Sequence, residues 1–149
     1  MKLIIQRVKH ASCKVDNKIT GQIDHGYMIL VGFGLNDNTD VVEKLADKVG
    51  KLRIFEDDNG KMNKSIFDVG GKILSISQFT LYADCSKGNR PSFTDALNPI
   101  QANQLYEHFN LCLRNLGIDV YEGIFGADMK IDLLNDGPVT IILNSEELW

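Results

Sequence analysis

The stretch KILSISQFTLY, residues 72–82, carries side chains and a spacing suited to ester chemistry. Leu74 and Ile76 alternate with Ser75 and Ser77, and then the phase flips, with Phe79 and Leu81 apolar while Gln78 and Thr80 are polar. A strand has a period of two, so the slip predicts a bulge or bend near Ser77-Gln78, unless both faces are buried. A bulge leaves backbone N–H groups unpaired, and such groups can hold the oxyanion of an acyl-transfer intermediate. Gln78 and Thr80 would then offer an amide and a hydroxyl to one space. The competing reading is an ordinary edge bulge with two solvated polar side chains. The next stretch, DCSKGNRPSF, places Lys87 and Arg90 around Gly88-Asn89 with Phe93 nearby. A short basic loop beside a polar strand suits phosphate or ribose, although a solvated turn has the same composition. The third stretch is NDGPVTIIL, residues 135–143. Gly137 permits unusual φ and close approach of a ligand to bare backbone, while Pro138 lacks an N–H and opens a strand poorly. It reads as a tight turn, or as main chain presented to a ligand.

Other chemistries leave no trace. There is no G-x-S-x-G elbow, phosphate-binding glycine loop or dinucleotide fingerprint. His10, His25 and His108 stand apart from one another, and neither a metal nor another cofactor is expected.

The elements that must position these residues can be drawn from periodicity. Leu3–Lys9, Ala11–Asp16 and Ile19–Asp24 read as short strands, and Tyr27–Phe33 as a continuous apolar strand. Thr39–Phe55 has Val41, Val42, Leu45, Val49 and Leu52 at helical spacing. Lys72–Tyr82 is a strand, followed by an irregular loop over Ala83–Thr94. A second helix starts with Asn98 as cap, Pro99 in first position and Gln101 placed for a capping box. Its stripe is Ala102, Leu105, Phe109, Cys112 and Leu116, and Gly117 suits the exit. Ile118–Glu122, Met129–Leu134 and Val139–Asn144 close the chain as strands, the last two as a hairpin. The expected fold is α+β: a single domain over 1–149, with two helices on a mostly antiparallel, barrel-like β-sheet.

Composition fits that class, with 44% apolar and 24% charged residues. No apolar run approaches the roughly 20 residues that span a bilayer, so no membrane is expected as partner. Charge comes too early in MKLIIQR for a secretory signal, and three widely spaced cysteines suit reduced thiols, so a cytoplasmic location is expected. A net charge of −4 gives no global attraction to nucleic acid, so any such contact must be local.

Taken together, these stretches closely resemble the D-aminoacyl-tRNA deacylase family. Its Ser-Gln-x-x-Leu motif stands here as Ser77-Gln78-Phe79-Thr80-Leu81, and its Asn-x-Gly-Pro-x-Thr motif as Asn135-Asp136-Gly137-Pro138-Val139-Thr140. QRV at 6–8, LRIFEDDNGKMN at 52–63, KGNRPSF at 87–93 and FGADMK at 125–130 are similar to family sequence in family order. Asn89, where a basic residue is expected, is a small departure that bears on RNA contact. The resemblance implies hydrolysis of D-aminoacyl-tRNA, and of glycyl-tRNA mischarged on tRNA(Ala), by a cytoplasmic homodimer with its site near the interface. It implies a cis Gly137-Pro138 that reaches into the partner's pocket and rejects L-amino acids, supported by Arg7. Catalysis would rest on the backbone around Ser77, Gln78, Phe79 and Thr80 with help from the substrate's 2′-hydroxyl, and Thr80 would position rather than attack. Lys87 and Arg90 would touch RNA. The alternatives are a related deacylase with a trans Gly-Pro that accepts small L-esters, a non-catalytic RNA-binding module, and an interaction protein that dimerises through its sheet.

Overall fold

The computed structural model describes all residues, Met1–Trp149. Its spine is β1, Lys2–Val15, which is one 14-residue strand where the sequence suggested two. One edge of β1 is shared: Lys2–Val8 pair with β3, Gly26–Gly32, and Ala11–Val15 pair with β2, Lys18–Ile23. Its other edge pairs with β8, Lys130–Asn144, along nearly its whole length. The hairpin expected over Met129–Asn144 is therefore wrong. Both halves of β8 find the same long partner, which keeps them running in one direction and turns the NDGP segment into an interruption.

Between these come helix α1, Thr39–Lys51, a small hairpin of β4, Phe55–Glu56, and β5, Met62–Lys64, and strand β6, Lys72–Ser77. Helix α2, Pro99–Asn115, strand β7, Val120–Glu122, and a four-residue helix α3, Ser145–Leu148, complete the chain. The sheet runs β2-β1-β3-β6-β7, with β8 beside β1. Pairings to β1 are antiparallel, whereas β3/β6 and β6/β7 are parallel, so the sheet is mixed. It curls until β2 lies against β7. Gly21 permits this contact, because a Cβ there would stand 2.9 Å from the Glu122 carbonyl oxygen. The result is a nearly closed barrel.

Two cores follow from the strand period. Leu3, Ile5, Tyr27, Ile29 and Ile73 face the helices and meet Leu45, Val49, Phe109 and Leu113. Val8, Cys13, Met28, Leu74 and Ile76 fill the other face, inside the curl. With both faces buried, Tyr27–Phe33 reads as an unbroken apolar run. Asn98 caps α2 by accepting the Gln101 N–H at 3.0 Å, and Gly117 leaves it at φ +95°, both as expected. The stripe differs: Tyr106, Asn110 and Leu113 are buried, whereas Leu116 is exposed. Helix α1 stops at Lys51 rather than Phe55, because Leu52 turns extended at ψ 135°. No helix is long and apolar enough to cross a membrane.

Candidate functional site

β6 ends at Ser77, and the expected bulge does not form. The Gln78 N–H makes a last bond to the Val31 carbonyl at 2.7 Å, after which Phe79–Tyr82 coil into a 3-10 turn. The phase flip is thus a change of structure rather than a slipped register. Phe79 is exposed and Tyr82 buried because a turn, not a pleat, sets their directions. Gln78 and Thr80 still meet, with the Gln78 amide donating to the Thr80 hydroxyl. The Phe79 and Thr80 amides open the turn, where a helix's first N–H groups have no acceptor within it.

Beside this corner is a cavity of about 550 Å³, walled by the ends of β3 and β6, the start of α2 and the segment Phe125–Met129. Ser77, Gln78 and Phe79 line it, whereas Thr80 does not. Its surface is largely apolar, and Asp128 is the one ionisable side chain in its lining. That carboxylate is held by the Lys130 ammonium at 3.0 Å. At the mouth, Phe79 and Phe93 pack edge to face with centroids 5.0 Å apart. Phe93 directly follows the basic loop, which is closed by reciprocal backbone bonds of 2.8 and 2.9 Å between Asp84 and Ser92. Lys87 and Arg90 are exposed on this loop.

The second motif lies elsewhere. On β8, Asn135 pairs with Val8 and Thr140 with Gln6, so Asp136–Val139 protrude opposite the single residue Arg7. The Gly137-Pro138 peptide is cis, and Gly137 has φ +128°. Arg7 is buried beneath this protrusion. Its Nε donates to the Asp136 carbonyl at 3.0 Å and its Nη1 to the Ile54 carbonyl at 2.7 Å. The Asp136 carboxylate also stands 3.6 Å from Nε and is shared with Lys9. A Cβ on Gly137 would lie 3.1 Å from Arg7 Nη2. Tyr27 pairs with Arg7 across the sheet and stacks on Phe55 at 5.2 Å. Burial pushes its phenol well above the usual range, with Arg7 pulling weakly the other way, so the ring stays neutral beside the guanidinium.

Gly137 and Pro138 are exposed, and neither lines the cavity. Ser77 aligns with Val31 and Val31 with Leu3, four residues along β1 from Arg7. That is about 13 Å along the strands, with three strand spacings of about 4.8 Å across them. One chain therefore separates the two motifs.

Sequence reasoning did not find Ile54, which acts through its carbonyl and so carries no side-chain signal. It also passed over His108 and Cys112, one turn apart on α2 with Nε2 3.6 Å from Sγ and Glu43 at 3.0 Å. No group of three or more His, Cys, Asp or Glu is arranged to hold a metal.

The family model for D-Tyr-tRNA(Tyr) deacylase matches residues 4–144. A D-aminoacyl-tRNA deacylase from Rhodopirellula baltica is 57% identical, covering 96% of this chain and 99% of that protein. One from Deinococcus radiodurans is 54% identical, over 97% and 99%. Among solved structures, the c-Myc DNA Unwinding Element Binding Protein superposes with a TM-score of 0.90 at 39% identity, over 97% and 98% of the two chains. A probable eukaryotic D-amino acid tRNA deacylase, 17% identical over 95% and 97%, shares the fold with a TM-score of 0.82.

Proposed function

This chain belongs to the D-Tyr-tRNA(Tyr) deacylase family, and from that membership we propose that it hydrolyses the ester bond of D-aminoacyl-tRNA, releasing D-amino acid and tRNA. The observation that carries the mechanism is a cavity whose only ionisable lining group, Asp128, is already paired. An aminoacyl ester is activated, so its hydrolysis needs a placed water and a stabilised oxyanion more than a strong base. The Phe79 amide, which opens the 3-10 turn at the cavity wall, serves as an oxyanion donor, and the 2′-hydroxyl of the terminal adenosine organises the attack. The aromatic mouth of Phe79 and Phe93 suits a stacked base. Lys87 and Arg90 meet the phosphates behind it.

The enzyme acts as a homodimer in which Gly137-Pro138 of one subunit enters the pocket of the other. Two observations support this reading: the separation of the motifs within a chain, and an open β8 edge carrying exposed Leu134 and Ile142. Main-chain carbonyls there face the substrate's α-carbon and leave no room for an L-side chain. Glycine has no side chain to reject, so glycyl-tRNA mischarged on tRNA(Ala) is also cleaved. The work of the enzyme is cytoplasmic, where charged tRNA is found.

The test is to mix the pure protein with D-Tyr-tRNA, L-Tyr-tRNA, glycyl-tRNA and L-alanyl-tRNA. Cleavage of the D- and glycyl esters alone is expected. Cleavage of the L-alanyl ester would favour an open gate, and no cleavage at all would leave only an RNA-binding or interaction role.

A further inference from the structure

Besides the end of β3, three walls bound the cavity: Ile76–Phe79 where β6 gives way to the turn, the segment Phe125–Met129, and the start of α2 with Asn98, Pro99 and Ala102. They converge on one atom. The Ser75 carbonyl accepts the Gly123 N–H at 3.2 Å and the Tyr106 hydroxyl at 2.7 Å. Ser75 immediately precedes the first wall, and Gly123 is where the chain leaves β7 to build the second. Tyr106 sits one turn beyond Ala102 on α2, fully buried, with its ring tilted against Phe125 at 6.1 Å between centroids. One turn further, buried Asn110 donates to Glu122, the last residue of β7. The junction has no slack at Gly123, where a Cβ would overlap the Met129 sulfur.

We propose that Tyr106 is a positioning residue for the deacylation, its hydroxyl fixing the Ser75–Gly123 junction so that the Gln78-Phe79 corner and the Phe125–Met129 wall keep the spacing the ester requires. The proposal rests on the deacylase reading above. Tyr106 touches no reacting atom and acts through the walls. Burial pushes its phenol up to about 12, so it remains a donor throughout the working range.

Tyr106→Phe keeps the ring against Phe125 and leaves the Ser75 carbonyl bonded to Gly123, so no buried acceptor is orphaned. On D-Tyr-tRNA, kcat should fall about tenfold with KM changed less than about twofold, because misplacement penalises the reacting geometry rather than RNA capture. Hydrogen exchange of the Gly123 amide, which is bonded to the Ser75 carbonyl, should be slow in wild type and faster in the variant. Wild-type kcat in a folded Tyr106→Phe would overturn the role, whatever the melting temperature does. Fast exchange of the Gly123 amide in wild type would overturn it even if the variant fails to fold. A wild type that cleaves no D-ester would overturn the deacylase reading and this role with it, whereas an active wild type with an equally active variant overturns the role alone.

Discussion

Thr80 carries the one hydroxyl of the 3-10 turn beside the cavity apart from Tyr82, yet its side-chain partner is the Gln78 amide, and it lies outside the cavity lining. A nucleophilic hydroxyl needs a base within hydrogen-bond reach, and no histidine or carboxylate contacts this one. Thr80→Ala should retain activity within about tenfold, whereas loss of a true nucleophile would cost several orders of magnitude. Quenched turnover analysed by mass spectrometry should show no acyl-enzyme. Gly137 is a sharper case, since at φ +128° an added Cβ meets Arg7 Nη2 at 3.1 Å and Val139 Cγ2 at 3.0 Å. The protrusion must shift, so Gly137→Ala should lower the ratio of D- to L-Tyr-tRNA cleavage in a protein with wild-type circular dichroism. An unchanged ratio would remove the main chain of Gly137-Pro138 from discrimination. Arg7→Lys belongs beside it, because a compact ammonium cannot serve the Asp136 and Ile54 carbonyls together as the fork does. Losing one charge-assisted bond costs about 2 kcal/mol, which thermal melting would read as a drop of roughly 4–8 °C.

Among the elements, the closure of β2 on β7 and the loop after the 3-10 turn make separate claims. Gly21→Ala drives a Cβ to 2.9 Å from a backbone oxygen, which cannot swing aside as a side chain would. Overpacking of that kind costs about 1–3 kcal/mol, and calorimetry should show it without loss of secondary structure. The basic loop is tethered at Asp84 and Ser92 but otherwise projects into solvent, so its charges can be removed without touching a core. Lys87→Ala with Arg90→Ala should weaken binding of many tRNAs alike. The slope of log affinity against log salt should become shallower by about 0.7–0.9 for each phosphate that is no longer neutralised. An unchanged slope would show that RNA runs elsewhere.

For the whole molecule, the separation of the two motifs is the dominant fact. A monomer would leave Gly137-Pro138 facing water, while a dimer would give each pocket a wall from its neighbour. Sedimentation equilibrium should give twice the 16.7 kDa chain mass. Mixing Gly137→Ala protomers with pocket-defective Phe79→Ala protomers should restore part of the D-selective activity, since one site of each mixed dimer has both parts intact. No recovery despite proven exchange of subunits would mean that each chain works alone. At a net charge of −4 the molecule as a whole repels RNA, so affinity should be modest and fall as salt rises.

Local chemistry settled much of this by sequence alone. The Asn98-Pro99 start and Gly117 exit of α2 depend on residues within one turn, and the double-faced burial of β3 is written in its unbroken apolar run. The two motifs were legible as residue types at fixed spacing. What surrounds them was not. Asn135-Asp136-Gly137-Pro138 has the composition of a hairpin turn, and only the length of β1, which pairs with both flanks, makes it a protrusion from one continuous strand. The phase flip at Ser77-Gln78 fits a bulge as well as a strand end, and the last bond to Val31 decides for the latter. Ile54 holds Arg7 through a carbonyl, and Asn110 breaks the apolar stripe of α2 because Glu122 waits for it at the end of β7. Such choices are made by partners far along the chain, and periodicity within a window cannot register them.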